Sequence, residues 1–182
     1  ALRWWCITTL GRQWNTRVVI IPGAQRVTGG PYRVTTHPNY VAVVAEGVTD
    51  YYGSLLVRRA GLTTTPEYLD MLSNSIEAVQ TRPGRRVQSA EMASFDTWIK
   101  QYRPDENSPN TSIDYYDKGA TIAFLLDATI RQATGGAKSL DDAMRLAYQR
   151  HSGAKGFTPE EFQRAISETA GKDLSAWFAQ VL

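Results

Sequence analysis

Apolar positions three and four residues apart dominate the chain after residue 46, and they predict a series of helices. The longest run is Ser112 to Arg131, where Ile122, Leu125, Leu126, Thr129 and Ile130 recur at helical spacing. Phe124 widens that apolar face, and Gly135-Gly136 supplies a stop. Thr49 to Ala60 places Tyr51, Tyr52, Leu55 and Leu56 on one side, with Gly61 closing the helix. Thr65-Pro66-Glu67 starts another, with proline at the first helical position. Leu69, Leu72, Ile76 and Val79 continue it until Pro83-Gly84. A shorter helix is predicted over Ala90 to Gln101, anchored by Met92, Phe95, Trp98 and Ile99. Ser139 caps the next, which Met144, Ala147 and Tyr148 continue. Thr158-Pro159-Glu160-Glu161 reads as a capping box, with Phe157 and Phe162 placed as a hydrophobic staple. Gly171 stops that helix, and Asp173 caps a last one carrying Leu174, Trp177, Phe178 and Val181.

The expected fold is therefore mainly α, an antiparallel multi-helix array of five to seven helices over residues 47–182. Residues 1–46 differ in character, being rich in Trp, Val, Thr and Arg with little helical period after Gly11. Ala1 to Leu10 reads as the end of a helix, and Arg17 to Ile21 as a short strand or membrane-interface run stopped by Pro22-Gly23. Gly29-Gly30-Pro31 is a turn, and Tyr40 to Ala45 a short apolar run. This contrast divides the chain into an irregular 1–46 and a helical 47–182.

Composition narrows the partners. The net charge of +2 over 182 residues is too small to imply nucleic acid, and Arg82-Pro83-Gly84-Arg85-Arg86 reads as a solvated basic turn. Cys6 is the only cysteine, which excludes an intramolecular disulfide and a thiolate metal cluster. His37 and His151 are the only histidines. No apolar run reaches the roughly 18 residues that span a bilayer. The start, lacking methionine, reads as lying inside a longer frame.

Candidate chemistry gathers at the start of the longest helix, in Tyr115-Tyr116-Asp117-Lys118-Gly119. Gly119 lowers helix propensity by about 1 kcal/mol against alanine, which implies close approach of another backbone or of a substrate. Two readings of the group stand side by side. One is two half-buried tyrosines beside an exposed ion pair. The other is a phenol aimed into a cleft as a hydrogen-bond donor to a developing oxyanion. His37 likewise reads either as a turn histidine, extended because Pro38 follows, or as a ligand.

Tyr116-Asp117-Lys118-Gly119 resembles the Tyr-x-Lys-Gly element of gluzincin metallopeptidases. Around it, SFDTWIKQYRPDENSPNTSIDYYDKGA (94–120) resembles the PDZ-associated glycyl aminopeptidase family. EGVTDYYGSLLVRRAGL (46–62) is similar to that family's Glu-Gly-Phe-Thr-x-Tyr-Tyr element, with Val48 in the phenylalanine position. KSLDDAMRLAYQRH and GFTPEEFQRAISETAGKDLSAWF resemble its C-terminal helices. The resemblance covers about three quarters of the chain. It implies that Glu46 is the third zinc ligand and that the Tyr116 hydroxyl stabilises the tetrahedral intermediate. It also implies that the loop from Arg103 to Asp114 lines the cleft, where Asn110 and Tyr115 meet a peptide substrate. The family also needs His-Glu-x-x-His for two zinc ligands and a water-activating glutamate. That motif does not occur in this sequence. The implied chain is a metallo-aminopeptidase fragment, inactive alone and without bound zinc.

GPYRVTTHPNYVAVVAEG (30–47), with LGRQWNTRVVIIPGAQRVTGGPYR before it, resembles bacterial isoprenylcysteine carboxyl methyltransferase-like membrane proteins. That resemblance implies contact of His37, Tyr40 and Glu46 with S-adenosylmethionine, although Thr36 stands where those proteins carry arginine. It also implies that any membrane contact is made by residues 1–46. Both resemblances share Glu46-Gly47, so the expectation is a chimera of two enzyme fragments, of bacterial origin, joined there. A third reading is a non-enzymatic helical module that binds peptides through the surviving cleft.

Overall fold

The computed structural model describes residues 46–97, 99–152 and 157–182. The expectations placed on residues 1–45, including His37 and Tyr40, lie outside the described residues, as does Trp98. The described chain is mainly helical, and no strand occurs among the described residues. Its elements are α1 (Val48–Arg59), α2 (Thr65–Thr81), a 3-10 turn η1 (Pro83–Arg86), α3 (Ala90–Phe95), α4 (Ser108–Thr111), α5 (Tyr115–Ala133), α6 (Leu140–His151), α7 (Pro159–Ala170) and α8 (Ser175–Val181).

Capping chemistry sets most boundaries. Thr64 and Glu67 form a capping box at α2, as do Thr158 and Glu161 at α7. At α6 the Asp142 carboxylate accepts from the Ser139 N–H at 2.9 Å. The Phe157 and Phe162 rings lie 5.7 Å apart, so the staple at α7 is present. Gly136 N–H bonds back to the Arg131 carbonyl at 2.7 Å, and Gly135 and Gly136 both take positive φ. That pair ends α5 as a C-terminal glycine cap does. Asp173 accepts from Ser175 N–H at 2.9 Å and so starts α8.

Helix α5 is the hub, packing against α1, α2, α3, α6 and α7. Ile122, Leu126 and Ile130 are buried on it, whereas Leu125 points outward. The main core joins Leu126 and Ile130 to Leu140, Ala143, Phe162, Ile166, Leu174 and Phe178, while Ile122 belongs to a second cluster with Ala90, Ala93, Ile113 and Tyr115. The sheath around it departs from the expected anchors in three places. In α3 the small residues Ala90, Ala93 and Ser94 face inward, while Met92 and Phe95 are 47% and 64% exposed. Ile99, in the turn after α3, is also exposed. Small side chains let the short helix lie close to α5, and that close approach outweighs the burial of larger ones. On α6, Tyr148 is 74% exposed, because Leu140, Ala143 and Ala147 make the contact instead. On α2, Leu69 is exposed while Leu72, Ile76 and Val79 are half-buried against the hub.

Two polar ties fix α1 and α6 on α5. Buried Asp127 accepts from Tyr51 Oη at 3.0 Å, from Arg131 Nε at 2.9 Å and from the Leu140 N–H at 2.7 Å. Asp141 accepts from Tyr52 Oη and from Arg59, each at 2.8 Å. A carboxylate saturated in this way can be buried without the penalty of an unpaired charge. Burial pushes the Tyr51 and Tyr52 phenols up, and their carboxylate partners add to it.

A close backbone contact lies where α1 begins. A Cβ on Gly47 would sit 2.6 Å from the carbonyl carbon of Gly119. Gly53, in mid-α1, has open space around the same position. Gly47→Ala is therefore expected to destabilise the fold by about 1–3 kcal/mol through backbone overpacking. Gly53→Ala is expected to stabilise it by up to about 1 kcal/mol. Urea denaturation of both variants measures this, and a Gly47→Ala protein as stable as the parent would refute the close packing.

Candidate functional site

The Gly47–Gly119 crossing brings the turn before α1 against the first turn of α5. It sets Glu46, which is exposed, near Tyr116. Asp114 caps α5 by accepting from the Tyr116 N–H at 2.8 Å. Its other oxygen takes a short hydrogen bond from Gln101 Nε2, which ties the turn after α3 to the same cap. Tyr102 follows directly. Its hydroxyl lies 3.0 Å from that of Tyr115 and 3.2 Å from that of Tyr116. The Tyr115 and Tyr116 rings stack with centroids 4.3 Å apart. Tyr115 is only 2% exposed and Tyr116 is half-buried, so the outer ring is backed by the inner one.

The loop leading into α5 is built by short-range polar contacts and held from below. Asp105 accepts from Asn107 N–H at 3.1 Å and from Ser108 Oγ at 2.8 Å. Asn110, exposed on α4, donates to Asn107 Oδ1 at 2.9 Å. Beneath the loop, a Cβ on Gly84 would meet the Ser112 backbone, which places η1 flat against it. Arg82 Nε donates to the Ser112 carbonyl at 2.7 Å, and buried Gln88 accepts from the Ile113 N–H at 2.9 Å. A closely packed glycine and two side chains therefore hold residues 112–113 in place.

Electrostatics mark the same end of α5. The Tyr116 phenol is pushed up, first by its hydrogen bond with Tyr102, then by burial and the Glu46 carboxylate, with Tyr115 opposing. Burial pushes Tyr115 up as well, and its bonds with Tyr102 and Tyr116 add to this. Burial raises the Asp117 carboxyl, helped by Asp114 and Asp50 and opposed by Ser75. Burial lowers the Lys118 ammonium. The expected exposed pair at 117 and 118 is thus half-buried on both sides.

Of the sequence candidates, Glu46, Tyr115 and Tyr116 come together, while Asn110 sits on the neighbouring loop. Sequence reasoning passed over Tyr102, Gln88, Gln101 and Arg82. Tyr102 carried a signal, because it extends the 3-4-3 spacing of Met92, Phe95 and Ile99. The described residues do not fit a complete zinc site. No group of three or more His, Cys, Asp or Glu among them is placed to hold a metal ion. Glu46 supplies one carboxylate, and no chemistry is routed through a metal here. No helix among the described residues is long and apolar enough to cross a membrane.

Gln88→Leu is expected to leave the Ile113 N–H buried without a partner, destabilising the fold by about 1–3 kcal/mol. The amide resonances of residues 112–116 are expected to move with it. Thermal unfolding with an NMR amide spectrum checks both, and an unchanged spectrum would count against the loop being held this way.

Comparison with known proteins places these features in a family. The model of the M61 glycyl aminopeptidase family matches residues 30–122, just over half of the chain. The match begins inside the stretch that resembles the methyltransferases, upstream of Glu46. A solved structure described as an aminopeptidase N family protein from Idiomarina loihiensis superposes with a TM-score of 0.75 at 25% identity, covering 86% of this chain. The uncharacterized protein YpbQ of Bacillus subtilis is 42% identical over 45 residues, 25% of this chain. The chain spans about a quarter of the length of each of these two proteins. With its Glu46–Gly47 turn, its paired tyrosines and the first turns of its hub helix inside the matched region, the chain belongs to the M61 glycyl aminopeptidase family.

Proposed function

We propose that residues 46–182 form the hydroxyl-donating side of a metallo-aminopeptidase cleft, incomplete as a catalyst in this chain. The observation that carries this reading is the close Gly47–Gly119 backbone packing, which brings Glu46 near enough for its carboxylate to act on the Tyr116 phenol. In this reading Tyr116 donates a hydrogen bond to the oxyanion that forms when a peptide carbonyl is attacked. The ring of such a donor stays in place, because Tyr115 stacks behind it and Asp114 caps its helix. Glu46 is the carboxylate that faces the metal. Zinc, when present in the family, would polarise the carbonyl and supply the nucleophile.

The remaining parts of that chemistry have no counterpart in this sequence. Two histidines at i and i+4 and a glutamate between them would complete the ligands and the base. The chain has only His37 and His151, and neither has such a partner. Peptide binding without hydrolysis is therefore the activity assigned to the chain alone, with Asn110 and the 103–114 loop meeting the peptide. Residues 47–182 act as one helical unit, with Glu46 at its edge. The reading of 1–46 as a methyltransferase fragment binding S-adenosylmethionine draws no support from the described residues, nor does a chimeric junction.

Two titrations test this proposal. Zinc is expected to bind the chain without a tight one-to-one site, and Glu46→Gln is expected to change nothing. Tight stoichiometric zinc binding lost in Glu46→Gln would overturn the claim that ligands are missing. A short peptide with a free α-amino group is expected to shift NMR signals of residues 102–119. Absence of any shift at millimolar peptide would sink the cleft assignment.

A further inference from the structure

Tyr102 has no role in the sequence reading, yet it touches both of the tyrosines that do. It lies in the turn that continues from α3, 51% exposed, and a single residue separates it from Pro104, where the cleft loop begins to turn. Its position is set by its neighbour, since Gln101 is bonded to Asp114 at the cap of α5. The hydroxyl of Tyr102 therefore lies within 3.2 Å of those of both Tyr115 and Tyr116, which also interact with each other.

A phenol hydroxyl has one proton to donate and can accept as well. Each of the three clustered hydroxyls can thus donate to only one partner at a time. With nothing at the cleft, Tyr116 can donate inward to Tyr102. When an oxyanion is present, Tyr116 turns its proton outward, and its oxygen needs a donor in return. Tyr102 can be that donor, with Tyr115 donating to Tyr102 behind it. Hydrogen bonds aligned head to tail in this way polarise one another and strengthen the outermost donor. Tyr115 is buried and cannot draw on water, so the chain of donation has a fixed inner end.

We propose that Tyr102 is a positioning residue of this site, whose hydroxyl aims that of Tyr116 and couples it to the loop at 103–114. The inference rests on the reading of Tyr116 as the oxyanion donor. It assigns Tyr102 no bond-making step. It predicts that loss of one hydroxyl weakens recognition of tetrahedral, anionic groups and leaves recognition of planar peptides intact.

The test uses the whole chain with carbon-13 at tyrosine Cζ, its resonances assigned by substitution. Tyr102→Phe keeps the ring and removes the hydroxyl. The Tyr116 Cζ resonance and its titration are expected to shift in this variant, because the hydroxyl loses its Tyr102 partner. Gln101→Leu, which frees the turn from Asp114, is expected to move them in the same direction. A phosphinic tripeptide analogue with a free amino terminus is expected to bind Tyr102→Phe about tenfold more weakly than the parent, the effect of one well-placed hydrogen bond. The corresponding planar peptide is expected to bind both within about twofold, on the same argument. An unchanged Tyr116 titration in Tyr102→Phe overturns the proposal, as does equal weakening of both peptides. If Tyr116→Phe binds the phosphinic analogue as the parent does, the reading of Tyr116 fails, and the titration still decides whether Tyr102 governs that hydroxyl.

Discussion

Everything at the candidate site depends on two glycines pressed together. Gly47 and Gly119 have no side chains, so the turn before α1 and the first turn of α5 approach to backbone contact. A methyl group on Gly47 would push the two apart and carry Glu46 away from the tyrosines. The helix-propensity penalty at Gly119 is thereby explained by packing, since the glycine exposes its backbone to another backbone. The same device recurs under the cleft loop, where Gly84 lies against Ser112. Close backbone packing therefore lies beneath both the turn that carries Glu46 and the loop that leads into α5.

The polar ties then decide which way the helices turn. Tyr51 and Tyr52 are adjacent, yet they bond to different carboxylates on different helices, Asp127 on α5 and Asp141 on α6. Adjacent helical residues point about 100° apart, so one helix can reach two neighbours at once. Asp127 adds the Leu140 N–H, which is an unpaired donor at the start of α6. Hence the paired tyrosines after Glu46 tie helices together, whereas the paired tyrosines before Gly119 lie at the proposed site. Chemically identical dipeptides are separated in role by what faces them.

Helix ends were legible from sequence because caps are local. Thr64, Ser139, Thr158, Gly135 and Gly171 each act within a few residues of themselves, and each boundary falls close to them. The direction in which a helix faces was less legible. Met92 and Phe95 were natural anchors by size, but α3 lies too close to α5 for large side chains, so alanines and a serine fill the gap. The site was half legible. Glu46, Tyr115 and Tyr116 sit in two recognisable elements, and their meeting follows from the glycines within those elements. Gln88 and Arg82 act across 25 and 30 residues of chain, and no local pattern announces such contacts, whereas Tyr102 at least extends a helical spacing.

The division of labour along the chain follows from these distances. A hydrogen-bond donor needs only a rigid helix start and a neighbour that fixes its rotation, and both are supplied between residues 46 and 120. A metal centre needs three ligands converging from separate elements on one point, and convergence of that kind has no equivalent among the described residues. The donor side of a peptidase cleft can thus be folded and aimed without the metal side. Its proposed precision comes from backbone contact and capping.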